Sequence, residues 1–190
     1  MVNNFSLRQL EEAAREEGAD RAKVLPAREI VIDERVRLKC LVPLCPNYGR
    51  NLMCPPNLPS VEESRRIIRL YQWALLLQVQ GPTSEKGEGP EKAVVYQYAD
   101  KLHRVVNSLE RRLQGMGYLL AAGLIGGSCR LCDECVGQGS REPCRHPFRA
   151  RPSIEAMGIN VAATAAKVGW GIAPLPLGRE VVWTGLILLE

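Results

Sequence analysis

The chain has 190 residues, of which 46% are hydrophobic and 24% charged. That is the usage of one globular domain, and it excludes a disordered chain, a collagen-like repeat and a coiled-coil rod. Twenty-five Lys and Arg against 21 Asp and Glu leave a net charge of +4, too mild to point to nucleic acid or a membrane surface. Aromatics at 5% leave few platforms for stacking bases.

The predicted elements begin with a helix. Ser6-Leu-Arg-Gln9 is a capping box, Phe5 and Leu10 are placed to form a hydrophobic staple, and Leu7, Leu10, Ala13 and Ala14 share a face up to a stop at Gly18. Residues 29–33 read as a short strand. Residues 39–59 hold three Cys, five Pro and three Asn without a clear period and read as an ordered loop. Ser60-Val-Glu-Glu63 is a second capping box, opening a helix to about residue 70.

Residues 73–80 form an apolar run with the character of a buried strand, stopped by Gly81-Pro82, and 83–89 form a polar loop in which Gly87-Glu-Gly89 lacks the rest of a phosphate-binding pattern. A long amphipathic helix is expected over 90–114, with Val94, Tyr98, Leu102, Val105, Leu109 and Leu113 on its apolar stripe. Residues 118–125 read as another strand, so strand, helix and strand together predict one right-handed βαβ unit. A second Cys-bearing loop spans 126–152. Helical pieces follow at 153–157 and 161–168, and 181–189 closes the chain as a strand. The expected fold is α/β or α+β: one domain, residues 1–190, with a small central sheet, flanking helices and Cys loops at 39–59 and 126–152.

Seven cysteines cannot all pair as internal disulfides. The opening residues lack the apolar core of a secretory leader, and the longest apolar runs, 73–79 and 181–189, are too short to span a bilayer. The expectation is a cytoplasmic protein whose reduced thiols serve metal or redox chemistry rather than covalent stapling.

The second cysteine group is Cys129-Arg-Leu-Cys132-Asp-Glu-Cys135, followed by Cys144 after eight residues. Three Cys spaced by two residues each let three thiolates converge on one compact metal core, the pattern that wraps a cubane iron–sulfur cluster. A zinc ribbon more often uses two separated Cys-x-x-Cys pairs. The run departs from the bacterial ferredoxin pattern, because Pro143 precedes Cys144 rather than following it and the gap is longer.

The first group is Cys40, Cys45 and Cys54, with Pro46, Pro55 and Pro56 fixing the backbone beside two of them. Seven Cys supply four ligands to one centre and three to another, and the open position has His103, His146, a carboxylate, water or substrate as candidates. Alternatively the three N-terminal Cys share a centre with Cys144, as when fourth ligands cross between clusters. His103 reads as a helix residue off the site and His146, two residues after Cys144, as the better candidate. Arg130, Arg141, Arg145, Arg149 and Arg151 surround the second loop, and Lys39 and Arg50 flank the first. Such cations offset the burial of an anionic cluster.

The blocks Cys45-Pro-Asn-Tyr-Gly-Arg-Asn with Cys54-Pro-Pro, Cys129 to Cys135 with Pro143-Cys-Arg-His-Pro147, and Arg151-Pro-Ser-Ile-Glu-Ala-Met-Gly-Ile-Asn160 resemble a prokaryotic family described as predicted metal-binding protein of unknown function. The resemblance runs from about residue 30 to the end. It implies metal binding through these Cys, as iron–sulfur, in anaerobic bacteria and archaea, and it implies no reaction.

The leading expectation is therefore an iron–sulfur protein with one or two [4Fe–4S] clusters, exchanging electrons with a partner protein or small molecule. Cys129, Cys132, Cys135 and Cys144 would hold one cluster, and Cys40, Cys45 and Cys54 a second centre whose open position is a candidate substrate site. The rivals are a zinc-stabilised interaction module and a metal or cluster carrier. No nucleic acid or membrane is expected as a partner, and the edge strands leave a homodimer open.

Overall fold

The structure, a computed structural model, describes residues 6–82, 91–137, 139–171 and 180–190. The first helix, α1 (Leu7–Glu16), starts on the expected box: Ser6 Oγ accepts from the Gln9 backbone N–H at 3.3 Å, and Gln9 Oε1 accepts from the Ser6 N–H at 2.8 Å. It ends at Gly18, whose φ of +105° lets the Ala19 N–H reach back to the Ala14 carbonyl. Phe5, the other half of the expected staple, lies outside the described residues, as does the 83–89 loop.

Strand β1 (Arg21–Pro26) follows where no strand is legible in the sequence. It is short, leaves Lys23 exposed and Arg21 half-buried over the Trp170 ring, and ends on Pro26, which a sheet edge tolerates. The expected strand at 29–33 does not form. Ala27–Glu29 is a 3₁₀ turn, and Ile32 makes one isolated bridge, to Ile159. Pro26 ends the ladder, and Ile30 buries its side chain against the sheet's second face instead.

Helix α2 (Glu34–Leu41), which the sequence did not announce, then runs three residues into the expected loop, with Asp33 capping it through the Arg35 N–H, and carries Cys40 in its last turn. Helix α3 (Val61–Ile68) begins on the second expected capping box.

Helix α4 (Glu91–Gly115) stands where expected, and strand β2 (Trp73–Pro82) runs on through Gly81 and Pro82, which were expected to stop it, because both still pair with β4 residues Val181 and Glu180. Strand β3 is only Ala122–Leu124, because residues 118–121 form the turn that leaves α4 through Gly117. A 3₁₀ turn (Glu155–Met157), α5 (Val161–Lys167) and β4 (Glu180–Leu189) complete the chain.

The sheet order is β1-β2-β4-β3, with every neighbouring pair antiparallel. β2 and β3 both oppose β4, so they run parallel to one another with β4 between them. The expected βαβ unit is thus present in split form, its two strands held apart by the C-terminal strand. The class is α+β.

Side chains alternate across the sheet. Leu75, Leu77, Val79, Ile187 and Leu189 pack on α1 and α4 with Leu10, Leu102, Val106, Leu109 and Leu113. Ala74, Leu76, Leu186 and Leu188 face Ile68, Ile154, Ile159, Ala165 and Trp170. Both faces of β2 and β4 are covered, which is why their sequences read as continuous apolar runs. Among the described residues no helix is long and apolar enough to cross a membrane.

Helix α4 lies close on β4 at Gly185. A methyl group there would stand 2.9 Å from Val106 Cγ2 and 3.1 Å from Leu102 Cδ1. Gly185→Ala is therefore expected to lose about 1–3 kcal/mol through overpacking, read as a lowered urea midpoint at unchanged m-value.

Candidate metal centre

All seven cysteines are free thiols, and the fold sorts them into two groups. The second Cys loop leaves β3 and closes back on the sheet at residue 152. The first leaves α2 and folds over it, and the joint between them is Asn51. Its Nδ2 donates to the Cys129 carbonyl at 2.8 Å, its Oδ1 accepts from the Met53 N–H at 2.9 Å, and its own carbonyl accepts from the Cys54 N–H. Asn51 is 6% exposed, so these bonds are made out of water, where leaving them unmade would cost most.

Next to it the Leu52 N–H points at Cys135 Sγ, 3.5 Å away, and the His146 N–H at Cys144 Sγ, 3.4 Å away.

Two adjoining cavities result. The larger, of about 700 Å³, is lined by Cys129, Cys132, Cys135, Cys144 and His146, with residues 49–53 of the first loop completing the wall. The smaller, of about 280 Å³, is lined by Cys40, Cys45, Cys54 and Glu155. Asn47, Tyr96, Ser128 and Arg130 belong to both linings and form the partition. Cys144 thus stands with the Cys129–Cys135 run, not with the three N-terminal Cys. Among the described residues no three Cys, His, Asp or Glu side chains close on one point at the spacing of a single metal ion. The thiols line walls, in sets of four and three.

Charge reinforces the grouping. Burial, followed by the proximity of Cys45, Cys40, Cys129 and Glu155, pushes the Cys54 thiol up to about 12. Burial and Cys45 raise Cys40 as well. Burial raises Cys129, with backbone N–H groups of Leu131 and Arg151 opposing it and Cys144 and Cys132 adding to it. Gathering so many sulfurs in one place favours protons or a cation between them, so the donor set fits a thiophilic metal or cluster.

The arginines separate into different tasks. Arg130 pairs with Asp100 at 2.7 Å and lies over the rings of Tyr96 (4.9 Å) and Trp183 (5.8 Å), fixed in the partition. Arg145 donates to the Glu134 carbonyl and braces the second loop. Arg151 points away from the cavities into a buried pair with Glu110.

His103 lines neither cavity. Its Nε2 meets the Arg149 carbonyl at 2.8 Å, beside Asn107 Nδ2 at 3.0 Å, so α4 presents His103, Asn107 and Glu110 as a polar row that holds residues 149–151. The i, i+4, i+7 spacing of that row was readable in the sequence, but its target was not. Glu155 and Asn51 are the other residues that sequence reasoning missed. Both lie in the quoted family blocks, yet neither has a spacing that signals a site.

His103 carries a pH prediction. It is 4% exposed, and burial holds its imidazole below its usual value of 6.5, with the Arg149 carbonyl opposing and Arg151 and Arg130 adding to the effect. The unfolded chain takes up a proton that the folded one resists. This contribution to stability is therefore complete above about pH 6.5 and is lost as the pH falls below it. Urea midpoints between pH 8 and 5 should fall more steeply for the wild type than for His103→Gln, which keeps the donor without the charge. Parallel curves for the two proteins would remove His103 from the acid sensitivity.

An α+β fold that gathers seven thiols into two adjoining cavities defines a cysteine-rich metal-binding class of protein. The chain belongs to the family described as "Predicted metal-binding protein (DUF2284)", whose match covers residues 23–189. No curated protein and no solved structure matches it.

Proposed function

We propose that this protein is an iron–sulfur electron carrier with two centres. Cys129, Cys132, Cys135 and Cys144 hold a [4Fe–4S] cluster, and Cys40, Cys45 and Cys54 hold a second centre beside it. The observation that carries this reading is the division of the thiols into a set of four and a set of three around two cavities with a common wall. The Cys-x-x-Cys-x-x-Cys run supports a cubane over a lone zinc ion, whose ligands would come as opposed pairs.

When bound, such clusters accept and release single electrons, at potentials set by net charge and by hydrogen bonds to sulfur. This chain's residues address both. The Leu52 and His146 amides donate to Cys135 and Cys144. Arg130 holds a positive charge in the partition, positioned by Asp100 and by two aromatic faces. The electron donor or acceptor is a partner protein or a small molecule of the cytoplasm.

The test is metal and sulfide analysis of anaerobically purified protein, with electron paramagnetic resonance of the reduced form. Brown protein with about eight iron and eight sulfide per chain is expected for two cubanes. Colourless protein with stoichiometric zinc would reject the reading in favour of a zinc-stabilised interaction module.

A further inference from the structure

The smaller cavity has three thiols, and a four-cornered cluster asks for a fourth donor. Glu155 is the one acidic residue in its lining. It opens the 3₁₀ turn Glu155–Met157, and that turn is tied to the Cys loop: Arg37 of α2 donates from Nη1 both to the Ala156 carbonyl at 2.7 Å and to the Pro59 carbonyl at 3.2 Å. One guanidinium thus holds Glu155's turn against the helix that carries Cys40 and the end of the loop that carries Cys45 and Cys54.

The carboxylate is oriented through one oxygen. Oε2 accepts from Ser153 Oγ at 2.7 Å and from the Gly127 N–H at 3.2 Å, while Oε1 makes no hydrogen bond among the described residues. Metal-ligating carboxylates are commonly held in this way, with one oxygen fixed by neighbours.

Resting on the two-centre reading above, we infer that Glu155 is the fourth protein donor of the second centre, so that this centre is bound by three thiolates and one carboxylate. The harder oxygen donor makes one iron of this centre unlike the other three, with a protein ligand easier to displace than a thiolate, in contrast to the all-thiolate centre next door. The substrate class that such an iron would take is a small anionic or oxygen-bearing molecule able to replace a carboxylate oxygen.

The experiment uses the full chain, purified anaerobically. Glu155→Gln keeps an acceptor for Ser153 and Gly127 but removes the anionic ligand. It is expected to lose up to half of the bound iron, or to change the resonance signal of one centre only. Glu155→Cys is expected to restore the iron content with a shifted signal. Full iron with both signals unchanged in Glu155→Gln would overturn the assignment.

Mössbauer spectroscopy of the iron-57-loaded wild type needs no variant. One iron site distinct from the sulfur-ligated sites supports the inference, and uniformly sulfur-ligated iron overturns it. Cys45→Ala separates the two levels of the argument. If it leaves iron content untouched, the second centre itself falls, whereas loss of iron in Cys45→Ala with a silent Glu155→Gln removes only the carboxylate.

Discussion

Cys132→Ala is expected to abolish the main metal centre and to lower the yield of folded protein. Cys132 is the middle thiol of the run and lines the larger cavity with Cys129, Cys135 and Cys144. The two loops that meet there contribute little to the apolar core: of residues 42–58 only Asn51, Cys54 and Pro55 are buried, and of 129–149 none of the described ones is. They are joined across the gap by Asn51 to Cys129 and by Leu52 to Cys135. Two hydrogen bonds contribute on the order of 1 kcal/mol each. Metal binding by thiolates is worth on the order of 10 kcal/mol in small structural sites, and that energy is folding energy wherever the unfolded chain has no preformed site.

Loss of one thiolate in four should therefore remove about half of the iron and sulfide of a two-centre protein and lower the melting temperature. The wild-type apoprotein, prepared by chelation, should show the same loosening of both loops in hydrogen exchange while β2, β4 and α4 stay protected. Iron content equal to wild type in Cys132→Ala would sink the assignment of the run.

Arg151→Ala is expected to cost about 3–5 kcal/mol, the range for leaving one partner of a buried ion pair uncompensated. Arg151 and Glu110 are each 8% exposed and paired through two contacts, Nη2 to Oε1 at 2.7 Å and Nε to Oε2 at 2.9 Å. Glu110 Oε2 also accepts the Gly123 N–H, and Arg151 donates to the Phe148 and Ala150 carbonyls. One pair thus joins the middle of α4, the short strand β3 and the segment that ends the second Cys loop. A domain of this size is stable by about 5–15 kcal/mol in all, so the loss is a large fraction of the total.

The double variant Arg151→Met with Glu110→Leu removes both charges. It should recover part of the stability, leaving about 1–3 kcal/mol for the Gly123 N–H and the two carbonyls without partners. Urea unfolding of the three proteins measures both numbers, and a loss below about 1 kcal/mol in Arg151→Ala would mean that water reaches Glu110. The same variant should hold its metal less tightly, because the segment that follows Cys144 would keep only the His103 and Asn107 contacts to Arg149 as its anchors on α4.

These two predictions differ in how visible their residues were. The Cys129 to Cys135 run is a local pattern, and its meaning is written in the spacing of three side chains within seven residues. Arg151 and Glu110 are 41 positions apart, and nothing in either neighbourhood pairs them. Arg151 read as one of five cations around a cluster, and the fold turns it the other way, into the seam between α4 and β3.

The local elements follow the same division. Both capping boxes, the apolar run of β2, the stripe of α4 and the stops at Gly18, Gly158 and Gly169 were legible because a cap, an unbroken apolar run or a period of 3.6 is carried by neighbours in the chain. β1 escaped notice because an edge strand carrying the charged Arg21 and Lys23 shows little apolar pattern until its partner β2 is known. The insertion of β4 between β2 and β3 was equally hidden, since that register pairs residues more than sixty positions apart across β3 and more than ninety across β2.

Short-range chemistry, then, marked out the thiols, the central strands and, among the described residues, every α-helix but α2 without reference to three dimensions. The grouping of Cys144 with the run, the arrival of Glu155 beside Cys40, Cys45 and Cys54, and the stacking of Arg130 in the wall between the cavities waited on long-range packing. Such contacts exist only once the sheet has brought distant segments together, and no propensity or spacing carries them.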